Sequence, residues 1–309
     1  MITTIFSKSR PFNYILIISL LVLCFILSAI KDFGFLNSNF SIFKNVGLLG
    51  LLIASLFITN FVTKRNGLSK DSTFPFVFFF AFVILFPSIL NNTNLIISNF
   101  CILLAMRRLI SLQSLVTPKE KIFDASLWIF TASLFHFWCV LFILLVFISI
   151  ILHVSRDYRN WILPYLAFFA VAIIFLFFAL VFDENIILQF VKKATLNLDF
   201  FYFTNQFQNI SLSIYVAIAV LFVFSLILSL SKKPLMLHAA YKKIITCFFV
   251  GMVVFIVSPC KNNGILVFTF MPMAIMGTNF IENLEVKWIK EATMDIILFF
   301  CFLLFFLQL

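Results

Sequence analysis

Long apolar runs separated by short polar segments make up most of the chain. A helix that spans a lipid bilayer needs about 20 predominantly apolar residues. The clear candidates are residues 12–30, 45–62, 74–90, 95–112, 160–182, 211–230, 244–260, 264–281 and 294–309. Several of these runs are short, which flanking polar side chains or local thinning of the bilayer can accommodate. The pattern therefore predicts an all-α, polytopic integral membrane protein.

Residues 122–153 form a further apolar run whose length fits neither one span nor two full ones. As a single helix the run would be about 48 Å long at 1.5 Å per residue, whereas the hydrocarbon core is about 30 Å thick. Two short helices that turn near residues 135–138 would fit. This interpretation gives a hairpin at 122–153 and about ten to eleven transmembrane helices in total.

The positions of the basic residues favour the hairpin. With the N-terminus inside, the hairpin places 17 of the 22 lysine and arginine residues on the inner side and 5 on the outer side. A single crossing of 122–153 would instead give 12 inside and 10 outside. Because inner loops of membrane proteins are enriched in Lys and Arg, we predict an N-terminus on the inner, cytoplasmic side and a C-terminus on the outer side.

Composition excludes several classes of protein. Of the 309 residues, 63% are hydrophobic and only 11% are charged, and the mean hydropathy is +1.16. A soluble enzyme, a nucleic-acid-binding domain and a disordered chain do not have this composition. The net charge of +10 comes from basic residues at the ends of apolar runs, where they act as orientation signals. We therefore expect membrane lipid as a partner, other membrane proteins as further candidates, and no nucleic acid.

The chain shows no internal repeat and no soluble domain, so the sequence predicts a single transmembrane domain over residues 1–309. Its longest polar segment is 183–210, on the predicted outer side. Within it Ile186, Ile187, Phe190 and Val191 recur at helical spacing. This pattern predicts a helix that lies in the membrane interface.

Few residues carry candidate chemistry. Asp32 follows the first span, where its carboxylate could act as a general base; the alternative is a solvated residue paired with Lys31. Arg107 and Arg108 end the span at 95–112 and could bind a lipid diphosphate, or simply anchor the helix. His136 lies at the predicted hairpin tip, as a substrate-binding residue or a hydrogen-bonded structural one.

Other functional signals are missing from the sequence. The six cysteines lie in or beside apolar runs without a CxxC pair, and no GxSxG, HExxH or GxGxxG motif occurs. The sequence therefore predicts no metal site and no cofactor. No acidic residue falls in the middle of a predicted span, which argues against an ion-coupled transporter. A transporter remains an alternative function behind the two described next.

Three stretches together resemble a family of multi-pass inner-membrane proteins from Bacteroidota, a family without an established activity. They are SKSRPFNYILI, KIFDASLWIFTASLFHFW and SPCKNNGILVFTFMPMAIM. The likeness covers nearly the whole chain and brings no catalytic residues with it. It implies a bacterial inner membrane, in which the predicted outer C-terminus is periplasmic.

A second resemblance is architectural. The segment from DASLWIF to NWILPYL is similar to a hairpin, basic turn and long span found in the GT-C superfamily of membrane glycosyltransferases. That resemblance implies a GT-C-like scaffold, a polyprenyl-phosphate-linked sugar as the candidate lipid, and Asp32 in the place of the essential acid. The chain departs from the pattern by having a lone Asp and no large outer domain. The implied function is lipid-linked glycan or cell-envelope assembly; the alternative is a non-enzymatic component of an envelope complex.

Overall fold

The computed structural model describes residues 2–31, 39–182, 185–198, 205–259 and 261–309. These residues form thirteen α-helices and no β-strand, which confirms the all-α class. In chain order the helices are α1 (Ile2–Phe6), α2 (Pro11–Lys31), α3 (Asn39–Arg65), α4 (Phe74–Leu85), α5 (Thr93–Ser111), α6 (Pro118–Phe135), α7 (Ile143–His153), α8 (Arg159–Phe182), α9 (Asn185–Lys192), α10 (Gln206–Leu230), α11 (Leu235–Val257), α12 (Phe270–Asn283) and α13 (Lys287–Gln308).

Seven helical segments are long and apolar enough to cross a membrane, as a polytopic membrane protein requires. They are Pro11–Ile30, Ile42–Arg65, Thr93–Ser114, Arg159–Phe182, Gln206–Leu230, Leu235–Val257 and Asn263–Asn283. Two predicted spans are not among the seven. The run at 74–90 is interrupted, because α4 has only 12 residues and ends before Pro87. The run at 294–309 belongs to α13, whose first half carries four charged residues.

The segment 122–153 is not one continuous helix. α6 ends at Phe135, and His136 takes an extended conformation with φ −133° and ψ 103°. A 3-10 segment, Phe137–Phe142, follows and leads into α7. α6 and α7 pack against each other. The break coincides with the turn expected near residues 135–138. That this segment enters and leaves on one side of the membrane stays a prediction.

The chain divides into two compact units. Unit 1 contains Met1–Ile96, Phe201–Lys233 and Asn262–Leu309, and unit 2 contains Ile97–Phe200 and Pro234–Lys261. Each unit includes helices of membrane-spanning length. The single transmembrane domain expected over 1–309 stays a prediction.

The core of unit 1 is built on two short helices, α4 and α12. Every residue of α4 is buried, and α4 packs against α2, α3, α12 and α13. Phenylalanine fills much of this space through edge-to-face contacts, such as that of Phe78 with Phe222 at 5.5 Å between ring centroids. Such pairs add to the stabilisation that burial alone provides. The many phenylalanines therefore include a specific set that holds the centre of unit 1 together.

In unit 2, α6 packs along α8 through Phe130, Ala167 and Val171. The helix expected within 183–210 is present as α9, although residues 183–184 and 199–204 lie outside the described part of the chain. Phe190 of α9 contacts the rings of Phe137 and Phe175. Phe190 is half-buried by these contacts, and its place on an interfacial apolar stripe stays a prediction. Placement of α9 in the membrane interface stays a prediction.

Two buried lysines of unit 2 bind the C-terminal end of α5. The Nζ of Lys243, in α11, donates to the carbonyl of Leu109 at 2.6 Å and lies 3.1 Å from Nε2 of His153. The Nζ of Lys121 donates to the carbonyl of Ser111 at 2.8 Å. The last carbonyls of a helix have no partner within the helix and carry partial negative charge. These lysines therefore anchor α6 and α11 to the end of α5.

Candidate functional site

The residues predicted from the sequence do not form one site in the described part of the chain. Asp32 lies outside it. Arg107 and Arg108 are exposed near the end of α5, and Arg108 pairs with Asp124 at 2.9 Å. His136 follows Asp124 by 12 residues, which is about 18 Å along the axis of α6. The structure thus separates His136 from the two arginines, and the substrate-binding roles given to all three stay predictions.

His136 is hydrogen-bonded to Ser258 at the end of α11. The Nε2 of His136 lies 3.0 Å from the Oγ of Ser258, and that hydroxyl donates to the carbonyl of Val254 at 2.6 Å. Because the single hydroxyl proton is used on Val254, Nε2 of His136 must donate to Ser258. A base that activates serine has the opposite polarity, accepting the hydroxyl proton. The pair therefore joins the hairpin to α11 rather than forming a nucleophile.

A polar cavity of about 220 Å³ opens at one end of unit 1. Its wall carries three ammonium groups, two carboxylates and four hydroxyls. The lining residues are Thr3, Thr4, Ser7, Lys70, Ser72, Phe74, Glu282, Lys287, Lys290 and Glu291. Lysine and hydroxyl groups are the usual partners of phosphate oxygens, and carboxylates accept hydrogen bonds from hydroxyl or ammonium groups. The cavity is thus suited to a small headgroup that contains phosphate.

Glu282 organises one wall of the cavity. Its carboxylate accepts hydrogen bonds from the backbone N–H of Lys70 at 2.9 Å and from the hydroxyl of Ser72 at 2.7 Å. Nearby, the Nζ of Lys233 donates to the side-chain oxygen of Asn279 at 2.8 Å. Burial lowers the pKa of Lys233, Glu282 opposes this shift, and Lys70 adds to it. These contacts fix the loop that carries Lys70 against the end of α12.

Another part of the wall is formed by α1, which is hydrogen-bonded to the rest of unit 1. The backbone N–H and the hydroxyl of Thr73 both donate to the carbonyl of Phe6, at 3.0 and 2.8 Å. The side chain of Asn13 donates to the carbonyls of Ile5 and Lys8. A helix of five residues has little stability alone, so these bonds hold α1 in place.

An apolar groove of about 560 Å³ lies on the same unit. Residues of α2 and α13 form its two sides, α4 lies between them, and α1 contributes at one end. Its lining is Ile5, Phe6, Phe12, Leu16, Ile17, Leu20, Val77, Phe80, Asp295, Leu298, Phe299 and Phe302. Asp295 is the one charged side chain of this set. The sequence placed Asp295 at the edge of a span, whereas the structure places it in an apolar wall.

A single face of α13 lines both features. Lys287, Lys290 and Glu291 line the cavity, and Asp295, Leu298, Phe299 and Phe302 line the groove. These positions are three or four residues apart and therefore lie along one side of the helix. The cavity residues could not be predicted from the sequence, where lysines at the ends of apolar runs indicate only membrane orientation. One face of α13 carries charged side chains in its first half and apolar side chains in its second half, and this pattern is visible in the sequence.

No protein-family model, curated protein or solved structure matches the chain. Within the described ranges, no group of three or more His, Cys, Asp or Glu side chains could hold a metal ion. The geometry of the cavity and groove is therefore the basis on which function is proposed.

Proposed function

We propose that this membrane protein acts in lipid-linked glycan or cell-envelope assembly, and that it binds the phosphate-bearing headgroup of a membrane lipid in the polar cavity. The observation that supports the proposal is the face of α13 that carries Lys287 and Lys290 toward the cavity and continues with apolar side chains. A lipid phosphate has its charged and apolar parts in the same order, because its anionic headgroup is followed by a hydrocarbon chain. A polyprenyl phosphate, with or without a sugar, is the candidate lipid.

The proposed location of the cavity is the inner leaflet. Its wall includes Thr3, Thr4 and Ser7, and the distribution of basic residues favours a cytoplasmic N-terminus. A headgroup bound there would be presented on the cytoplasmic side of the inner membrane. This is the side from which soluble enzymes and their charged substrates reach a membrane lipid.

Removing the two cavity lysines of α13 tests the proposal. We expect the double variant Lys287→Gln and Lys290→Gln to bind polyprenyl phosphate at least about 10-fold more weakly, since hydrogen bonds to charged groups contribute about 1.5–3 kcal/mol each. The measurement is titration of the purified full-length protein in detergent, followed by native mass spectrometry. Polyprenol, which lacks the phosphate, should bind both proteins weakly and equally.

The matched control is Lys192→Gln with Lys193→Gln, an exposed lysine pair in and just after α9. It removes the same charge from unit 2 and should leave phosphate binding unchanged. Equal losses in the two double variants would mean that bulk charge controls binding, and the cavity proposal would then be wrong. The cavity proposal would also be wrong if the Lys287→Gln and Lys290→Gln double variant bound polyprenyl phosphate with full affinity.

A role for Asp32 is tested separately from the cavity, because Asp32 follows α2 and so lies on the predicted outer side, opposite the proposed position of the cavity. If the protein is an enzyme that uses Asp32 as general base on the outer side, Asp32→Asn should lower its activity at least about 100-fold. The measurement is complementation of the envelope defect of a deletion strain at matched expression. Full complementation by Asp32→Asn would favour a non-enzymatic component and remove the catalytic role of this residue.

A further inference from the structure

We infer that the apolar groove binds the hydrocarbon chain of the same lipid whose phosphate occupies the cavity, so that one long-chain lipid phosphate spans both. This inference rests on the proposed function and adds a chain-binding site to it. Two elements contribute to both features. α13 contributes through its continuous face, and α1 contributes Thr3 and Thr4 to the cavity but Ile5 and Phe6 to the groove.

The chemistry of the two features favours a lipid chain as the occupant. The groove extends about 12 Å along α2 from Phe12 to Leu20, and its lining is apolar apart from Asp295. The cavity shares α1 and α13 with the groove and carries three lysines, so an anionic headgroup with a hydrocarbon tail matches both features. A helix of a partner or of a second copy matches the groove alone.

The position of Asp295 sets where the phosphate can lie. Along α13 this residue is five positions after Lys290, a rise of about 7.5 Å. An anionic headgroup is attracted by Lys287 and Lys290 and repelled by the carboxylate of Asp295. The phosphate is therefore held at the cavity end, and the first carbons of the chain pass Asp295 before they reach Leu298 and Phe299.

Filling the groove tests the inference. Leu298 lines the groove, whereas Leu303 of the same helix does not line it and is 38% exposed. We expect Leu298→Trp to weaken binding of a long-chain alkyl phosphate at least about 10-fold. Binding of a short-chain alkyl phosphate, which reaches only the cavity, should change less than about twofold. The matched variant Leu303→Trp should bind both phosphates like the unmodified protein.

The outcomes separate this inference from the proposed function. If the Lys287 and Lys290 double variant loses phosphate binding but Leu298→Trp keeps full affinity for the long chain, the cavity proposal stands and the groove inference is wrong. A lower oligomeric mass of Leu298→Trp with unchanged lipid binding would also overturn it, because a helix would then occupy the groove. If Leu298→Trp does not fold, Leu16→Trp fills the groove from α2 and gives the same test.

Discussion

Replacing Gly277 by leucine is expected to prevent unit 1 from folding stably. A Cβ atom at this position in α12 would lie 2.5 Å from Cε2 of Phe222 in α10, closer than any normal contact. The Phe222 ring is 1% exposed and is packed against Phe78 and Phe280, each at 5.5 Å between centroids. Because the ring has no space to enter, the added side chain must separate α10 from α12.

The expected loss grows with the size of the new side chain. Overpacking of a filled core costs about 1–3 kcal/mol for small additions, so Gly277→Ala should lower the free energy of unfolding by about that amount. Gly277→Leu adds three further carbon atoms and should leave little folded protein. The measurement is the melting temperature and the monodisperse fraction in detergent.

Two other helical glycines supply the control. A Cβ at Gly47 or Gly50 in α3 would meet no atom within 4 Å, so alanine there should be neutral or slightly stabilising. Combining Gly277→Ala with Phe222→Leu should recover part of the lost stability by making room. A Gly277→Leu protein with unchanged melting temperature would contradict the packing described for α10 and α12.

Reversing the charge of Lys243 is expected to have a comparable effect on unit 2. Lys243→Glu would place a carboxylate beside the carbonyl of Leu109, which now accepts a hydrogen bond from the ammonium group. The residue is fully buried, and an uncompensated buried charge costs about 3–5 kcal/mol. The partial negative charge at the end of α5 would add to the loss.

The neighbouring residue is a control that changes the net charge equally. Lys242 precedes Lys243 in α11 and is exposed. Lys242→Glu should express and melt like the unmodified protein, whereas Lys243→Glu should be lost from the membrane fraction or melt at much lower temperature. Similar behaviour of the two variants would show that Lys243 does not hold α11 to the end of α5.

The same lysine pair shows what the sequence could predict. Both residues directly precede the predicted span at 244–260, whereas the structure places them inside α11, Leu235–Val257. Which of the two is buried depends on the rotation of α11 about its axis and on the position of the α5 end. Neither the rotation of α11 nor the position of the α5 end can be obtained from the hydrophobic pattern, since the apolar runs of this chain are hydrophobic on most sides.

The helical class could be predicted because the apolar runs have the length and composition that a bilayer requires. The residues at which individual helices begin and end could not be predicted. Pro272 reads as a breaker within a span, but α12 starts at Phe270, so the proline lies in its first turn, where its missing N–H is not needed. The segment Asn263–Thr269, which precedes α12, is a 3-10 helix. The hydrophobic pattern alone does not distinguish this segment from an α-helix.

The candidate site was missed for a related reason. Glu282 and Lys70 are 212 residues apart in the sequence and meet only through the fold. The three lysines of the cavity had been explained by membrane orientation, which gave no reason to look for a ligand. The charged and apolar halves of one face of α13 were visible in the sequence, but their meaning required the opposing surfaces of α1, α2 and α4.

The order of the two units along the chain has a consequence for synthesis in the cell. Unit 2 is complete in sequence at Lys261, whereas unit 1 also needs Asn262–Leu309, which the ribosome makes afterwards. Until then α4 has emerged without α12 and α13, two of the helices that cover it. We expect lipid chains to contact the uncovered faces of α4 during this interval, until α12 and α13 are made and bury them.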